Sequence, residues 1–223
     1  MTTPTRPLNL VDQMTVTVPE GVSGEVRIER FEITERAVRL ASINPRHTYR
    51  SQTPAGTYTR LVKGRTLWMS DTRAERHDHI AFLRAAKYAG NGAHILVSGL
   101  GIGMVLTPLL TFQNVERVDV IEIDEDVIKL AGPHYAALAD EHGIAFQIHH
   151  ADVFDGPKAI NAATKRWDVA YHDVWATYSA DTYNEHKNVR RKFGRVAGQQ
   201  LCWLDDEVRR LAQRERRDSQ RDY

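Results

Sequence analysis

The chain has one cysteine, Cys202, among 223 residues, and its formal net charge is only +1. A single thiol excludes an internal disulfide framework and suits a reducing compartment, so an apolar core has to hold the fold. Near-neutrality removes the long-range field with which strongly basic domains collect nucleic acid. The opening Met1-Thr2-Thr3-Pro4-Thr5-Arg6 lacks the apolar run of a signal peptide, and the expected location is cytoplasmic. Ile95 to Phe112 is uncharged and long enough to suggest a membrane span, but three glycines at alternate positions and Pro108 would weaken a continuous helix. Strand-turn-helix is the better parse. There is no internal repeat, and the one biased segment is the arginine-rich end, Arg209 to Arg221.

The apolar fraction, 42%, is enough for one domain with a full core and a smaller appendage. Residues 1 to about 90 have β character, with candidate strands at Thr15–Val18, Glu25–Ile28, Tyr58–Val62 and Arg65–Met69, the last two joined by a turn at Lys63-Gly64. From Asp71 the spacing of Ile80, Leu83 and Ala86 predicts a helix that ends at Gly90-Asn91-Gly92. Strands and helices then alternate. Strands are expected at His94–Ser98, Val118–Ile123, Ala145–His149 and Asp168–Tyr171, and helices at Gly103–Phe112 and at Glu125–Ala139, the second interrupted at Pro133. This alternation predicts an α/β fold with a Rossmann-like parallel sheet. Two polar helices, about Asp181–Phe193 and Asp205–Arg217, close the chain. The expected division is 1–70, an N-terminal antiparallel β unit; 71–180, a nucleotide-binding domain; and 181–223, a basic helical extension, which leaves the sheet truncated in its C-terminal half.

The strongest functional signal is Gly99-Leu100-Gly101-Ile102-Gly103 after a buried strand, followed 19 residues beyond Gly103 by Glu122 at the end of the next strand. Glycines let the chain turn tightly and let backbone N–H groups approach a ligand, while the carboxylate can accept both hydroxyls of a ribose. The spacing favours a nucleoside without a pyrophosphate, although a tight turn with no ligand would look the same. Asp124 reads as the cap of the next helix. Ligands of such sheets bind beyond the carboxyl ends of the strands. The candidate nucleoside contacts are therefore Gly99, Leu100, Gly101, Gly103, Glu122, Ile123, Asp152 and Val153, with Asp152 placed to accept an adenine amine. Asp173 and His172 lie where a second substrate would meet the nucleoside, and either could position or deprotonate it. Trp175 and Tyr178 could wall a pocket for a sulfonium or amine cation. His149, His150 and His172 lack the acidic or cysteine partners of a ligand pattern, and no metal is expected.

These segments resemble the spermidine synthase-like branch of the class I S-adenosylmethionine-dependent transferases. Leu61–Leu67 looks like that family's hairpin, Asp71–Leu83 like its linking helix, Val97–Gly103 like its glycine loop and Val120–Ile128 like its ribose-binding segment. The resemblance implies S-adenosylmethionine as the cofactor, a small-molecule or amine acceptor, and a homodimer built through the N-terminal β unit. The chain departs from the family where an Asp-Ser-Ser-Asp-Pro type loop is replaced by Asp173-Val174-Trp175-Ala176-Thr177, and where His77 and Asp78 replace the amine-binding tyrosine and its neighbour. The expected function is an S-adenosylmethionine-dependent transferase, first a methyltransferase of unknown acceptor. Aminopropyl transfer from the decarboxylated donor and a non-catalytic binder are the alternatives. Nucleic acid is a possible but unfavoured partner, and no membrane association is expected.

Overall fold

The computed structural model describes residues 9–43, 53–161 and 166–220. After a short helix α1 (Leu10–Gln13), the strands β1 (Gly21–Ser23), β2 (Val26–Ile33), β3 (Gly56–Lys63) and β4 (Thr66–Ser70) form an antiparallel sheet in sequence order. Helix α2 (Glu35–Ile43) follows β2 and buries none of its residues. Lys63 pairs with Thr66, so the two-residue turn is Gly64-Arg65, one position beyond the expected Lys63-Gly64. Gly64 takes a left-handed φ of 58°, which the turn requires and which a side chain resists.

Thr15–Val18 is not a strand. Val16 and Val18 are buried, but their backbone groups are satisfied by side chains instead of a ladder: the Val16 amide donates to Asp71 Oδ2 (3.1 Å), and the Arg30 guanidinium donates to the carbonyls of Val16 (3.2 Å) and Val18 (2.9 Å). The apolar alternation was real, and it faces the core without a neighbouring strand.

Helices α3 (Arg73–Asp78) and α4 (Ile80–Lys87) replace the single helix expected after Asp71, with His79 at the break. Strands β5 (Ala93–Ser98), β6 (Val115–Glu122), β7 (Ala145–His150), β8 (Trp167–His172) and β9 (Ala197–Cys202) make a parallel sheet in the order β7-β6-β5-β8-β9. The fold is the α/β, Rossmann-like class with a separate antiparallel unit. Strand β9 has no counterpart in the expected helical extension. Its sequence, Ala-Gly-Gln-Gln-Leu-Cys, is polar because it lies at the sheet's edge with one side open, so it lacks the apolar run that marks central strands.

The helix expected over Gly103–Phe112 shrinks to α5 (Leu106–Leu109), because Gly103 has a left-handed φ of 69° and Pro108 closes the segment. Helix α6 (Glu125–His142) runs through Pro133 without interruption; Ala131, Gly132, Tyr135 and Ala139 are buried along it, and this packing outweighs one missing backbone hydrogen bond. Asp124 caps α6, accepting from the amides of Asp126 (2.9 Å) and Val127 (3.3 Å). Helices α7 (Thr182–Phe193) and α8 (Asp205–Ser219) agree with the two expected at the end.

The strands send alternate side chains to two cores. Ile95 and Val97 join a core with Phe82, Leu83 and Tyr135, while Leu96 packs with Trp167, Val189 and Phe193 under α7. Val16, Val18, Val26, Ile28 and Leu61 belong to the first of these cores, so the apolar face of the N-terminal unit is buried within one chain. Ser23 Oγ donates to Asp126 (2.7 Å) and Lys63 Nζ to Asp124 (2.6 Å), which anchors the small sheet on the start of α6. None of the described helices is long and apolar enough to cross a membrane.

Asp119 places a charged group in the middle of the parallel sheet. Asp119 is fully buried and accepts from Arg117 Nε (2.8 Å), His149 Nε2 (2.8 Å) and Trp167 Nε1 (2.9 Å). Burial pushes its carboxyl up, but these hydrogen bonds and the Arg117 charge outweigh that and hold it below its usual value. Asp119→Ala strands three donors and is expected to cost about 3 kcal/mol in urea unfolding at pH 7, the lower end for breaking a buried pair. Because the folded-state value is depressed, the native contribution is complete above the ordinary carboxylate range and lost as pH falls through the lowered value, so the gap between the two proteins should narrow below about pH 4. A gap that stays constant from pH 7 to pH 3 would remove the ionised carboxylate from the account.

Candidate active site

The carboxyl ends of β5, β6 and β8 open into a cleft of about 690 Å³, closed on one side by Leu61, Leu67, Trp68 and Met69 of the small sheet. Every strand-end position singled out in the sequence reaches it except two. Gly99, Leu100, Gly101, Glu122, Ile123, Asp152, Val153 and Asp173 all line it.

The glycine turn is shaped by close approaches. A Cβ on Gly99, at φ 95°, would lie 2.0 Å from the Asp173 carbonyl oxygen, so glycine is what lets the β5 and β8 exits run side by side. A Cβ on Gly101 would lie 2.2 Å from Met69 Sδ, where β4 crosses the turn. Gly103 is one of the two exceptions: its missing Cβ makes room for the buried ring of Tyr135, whose hydroxyl donates to the Ile102 carbonyl (2.7 Å). The structure gives Gly103 a packing role and does not bring it to the cleft.

Glu122 is 8% exposed and accepts from the amides of Leu100 (2.7 Å) and Asp124 (2.8 Å), one on each carboxylate oxygen. Each oxygen keeps lone-pair capacity for a further donor such as a ribose hydroxyl. Asp152 caps the short 3-10 turn Val153–Asp155 through Phe154 (2.7 Å) while also lining the cleft.

His172 is the second exception. It precedes Asp173 on a strand, so it points to the opposite face. There it is fully buried, its Nδ1 hydrogen-bonded with Ser98 Oγ (2.9 Å) and its Nε2 with Gln200 Oε1 (3.3 Å), against Phe193. Burial lowers its pKa to about 4, leaving a neutral ring with no access to a substrate. The expectation of a catalytic His172 is corrected to a structural one. His149 and His150 also have separate partners, Asp119 and the Ile123 carbonyl.

Sequence reasoning missed Glu75, His79, Tyr171 and Trp203. Glu75 and His79 lie four residues apart, so they share a side where α3 passes into α4, and they line the cleft where His77 and Asp78 had been singled out. Glu75 is held by the Ser70 amide (2.8 Å) and hydroxyl (2.6 Å). His79 Nδ1 lies 2.8 Å from the Tyr171 hydroxyl and 3.7 Å from Asp173 Oδ2. The helical spacing would have paired Glu75 with His79, but nothing in the sequence tied them to the strand ends. Burial, with Asp173 and Asp78 nearby, holds the Tyr171 phenol well above its usual pKa, so it stays protonated. Asp173 itself is raised to about 8 by burial and by the like charges of Asp78 and Glu75.

Comparison with known proteins fits this geometry. The sequence profile described as the spermine/spermidine synthase domain matches residues 75–187, just over half of the chain. The chain belongs to that family. A polyamine aminopropyltransferase of Prochlorococcus marinus subsp. pastoris is 34% identical over 65 residues, which are 29% of this chain and 23% of that protein. The chain therefore matches about a quarter of this curated relative's length. Spermidine synthase from Thermotoga maritima aligns over 78% of this chain and 52% of its own, at TM-score 0.41 and 16% identity. The E. coli protein YjhP aligns over 56% of this chain and 47% of its own, at TM-score 0.39 and 17% identity.

Two substitutions separate the roles of the carboxylates. Glu122→Ala is expected to weaken binding of methylthioadenosine by about 1.5–3 kcal/mol, the range for hydrogen bonds to a charged group, in a protein that still melts cooperatively. Unchanged affinity in calorimetry would remove the ribose role. Asp173 has the opposite sign for stability. With a folded-state value near 8 against an ordinary value of 3.8, the fold holds a proton that the unfolded chain releases, and the stability this gives at low pH is lost as pH rises towards 8. Asp173→Asn should raise the melting temperature by roughly 2–6 °C at pH 8.5, as about 1–2 kcal/mol implies for a domain of this size, and by less at pH 5. Scanning calorimetry at both pH values checks this, and a destabilised variant at pH 8.5 would contradict it.

Proposed function

We propose that the cleft binds an adenosyl sulfonium whose methionine tail has lost its carboxylate, and that the protein transfers the aminopropyl group of this donor to an amine. One observation carries the reading. Three carboxylates, Glu75, Glu122 and Asp152, line the cleft together with the carboxyl group of Asp173, which ionises only near pH 8, and no lysine or arginine does so among the described residues. S-adenosylmethionine itself ends in both an ammonium and a carboxylate, and such a wall repels the second. The decarboxylated donor presents only positive charge. Family membership supports the same choice over methyl transfer, the first expectation from the sequence.

The residues present fit such a donor. Glu122 would hold the ribose, the glycine turn would let the nucleoside approach the backbone, and Asp152 would accept from the adenine amine, with Val153 and Ile123 as apolar contacts. When bound, the donor supplies a carbon activated by the neighbouring positive sulfur. Asp173 would hold the acceptor nitrogen and, in its ionised form, take its proton; a carboxylate raised to about 8 is a stronger base than an ordinary one, and this role becomes available as pH approaches 8. The hydrogen-bonded His79–Tyr171 pair beside it fixes the floor of the cleft. Alignment and desolvation of two reactants then supply the remaining advantage of an in-line displacement.

Isothermal titration with the decarboxylated donor, S-adenosylmethionine, S-adenosylhomocysteine and methylthioadenosine tests this. The decarboxylated donor is expected to bind at least tenfold more tightly than S-adenosylmethionine. The reverse order would favour methyl transfer, and saturable binding without product would favour a binder without chemistry.

A further inference from the structure

The formal net charge of +1 hides an uneven distribution. Carboxyl groups gather in the cleft, at the far ends of the parallel strands. The pole where β8 and β9 begin is basic. No acid occurs from Gly156 to Trp167 or from His186 to Leu204, while these two segments carry three and five lysines or arginines. The fold joins them. The Trp167 amide donates to the Val196 carbonyl (2.8 Å) where β8 and β9 start side by side, which brings Arg166 close to Arg195. Lys192 Nζ donates to the Phe154 carbonyl, and a Cβ on Gly156 would lie 3.4 Å from Lys192 Cβ, so the segment carrying Lys158 is held against the last turn of α7. Ile160 packs into the same core as Val189, Phe193 and Val196.

Lys158, Arg166, Lys187, Arg191 and Arg195 are exposed, and none of them forms an ion pair with a described residue. Arg191 donates to the neutral Asn188 side chain (3.2 Å), and Lys187 lies over the Tyr183 ring (4.8 Å). The negative end of α7 accounts for cations in its last turn, Arg190 to Lys192, but not for Lys158, Arg166 and Arg195 outside it. Helix α8 shows the contrast: Asp205–Ser219 holds five acids and five arginines, with Arg209 paired to Asp206 (2.7 Å) and Arg214 to Asp218 (3.8 Å). Its arginines are balanced within one helix. Those at the base of the sheet are left with one another, an arrangement that repels itself until anions lie against it.

We infer that this face, built from Lys158, Arg166, Lys187, Arg191 and Arg195, binds the phosphate backbone of a nucleic acid without reading its bases. Cations spread over two segments suit a chain of spaced negative charges better than a single ion, and the guanidinium forks at three of the five positions match phosphate oxygens. A bilayer is disfavoured because the exposed large hydrophobics among the described residues from Phe154 to Gln200 are Val174 and Tyr178, both at the cleft. For the same reason no exposed ring stands on this face to stack on a base.

Fluorescence anisotropy of labelled oligouridylate and oligothymidylate, titrated with the full chain, tests this. Both are expected to bind with similar affinity, and raising salt from about 50 mM to about 200 mM should weaken binding roughly a hundredfold, as contact of about five cations with a single strand implies. Arg191→Glu combined with Arg195→Glu should weaken it at least tenfold, and Arg191→Lys with Arg195→Lys should retain most of it. Arg166→Glu, in the other segment, should weaken it at least threefold while the melting temperature and methylthioadenosine binding stay unchanged. Arg209→Glu combined with Arg214→Glu in α8 should change it less than twofold. No binding at about 50 mM salt overturns the inference, and so does an equal loss from the α8 pair, which would mean that no particular face is used. A tenfold preference between the two oligonucleotides overturns backbone recognition. Tighter binding of polyglutamate or of phosphatidylserine vesicles overturns the choice of partner.

Discussion

The Glu122 carboxylate is the joint on which the parallel-sheet half of the structure turns. It receives the Leu100 amide from the glycine turn and the Asp124 amide from the start of α6, so one side chain at the end of β6 fixes the exits of two neighbouring strands. A buried carboxylate is costly unless its oxygens are satisfied, and here both are. The connection continues outward. Asp124, held by Glu122, caps α6 with one oxygen and takes Lys63 of the small sheet on the other. The glycine turn, the first turn of α6 and the docking of the antiparallel sheet therefore share one chain of charge-assisted hydrogen bonds. Removing its middle member would loosen all three.

The cleft itself works against stability. Asp173 and Glu75 converge near His79 and a phenol held in its protonated form, and like charges in a sheltered place are unfavourable until a cation arrives. This repulsion is tolerable because rigid neighbours hold the groups in place. Asp173 continues β8, its amide donating to the Ser98 carbonyl (2.9 Å), and Glu75 is tied to Ser70. The pieces facing the ligand are unfavourable in its absence, and the buried cores on the two faces of the sheet offset them.

How much of this was legible in the sequence follows from how local each signal is. The glycine turn, Glu122, the Asp124 cap and Asp173 all sit at fixed offsets from apolar strands, and the structure puts them where those offsets say. Gly103 was legible as a necessary glycine but not as the partner of Tyr135, 32 positions away, because nothing nearby marks that approach. His172 and Asp173 are adjacent, and only the parity of β8 decides which one faces the cleft. Strand β9 was hidden by its polar edge composition. Glu75 and His79 were hidden because two short helices broken at His79 carry no motif, and their role appears only when β4 and β8 are brought beside them.

The small sheet shows why the N-terminal third is more than an appendage. Its apolar alternation, read from sequence, calls for a partner surface. Val16, Val18, Val26, Ile28 and Leu61 find that surface inside the same chain, against the core that carries α4, α6 and the parallel sheet. What the sheet offers the cleft comes from its last strand. Met69 lies over Gly101 with its sulfur 3.4 Å from the Ile102 amide, Ser70 fixes Glu75, and Trp68 and Leu67 complete the wall. A five-residue strand thus touches the glycine turn at one position and the acidic corner of the cleft at the next. Its register against β3, set by the Gly64-Arg65 turn, aligns the two halves of the site, because a shift of one residue would exchange Met69 for a polar neighbour and turn Ser70 away from Glu75.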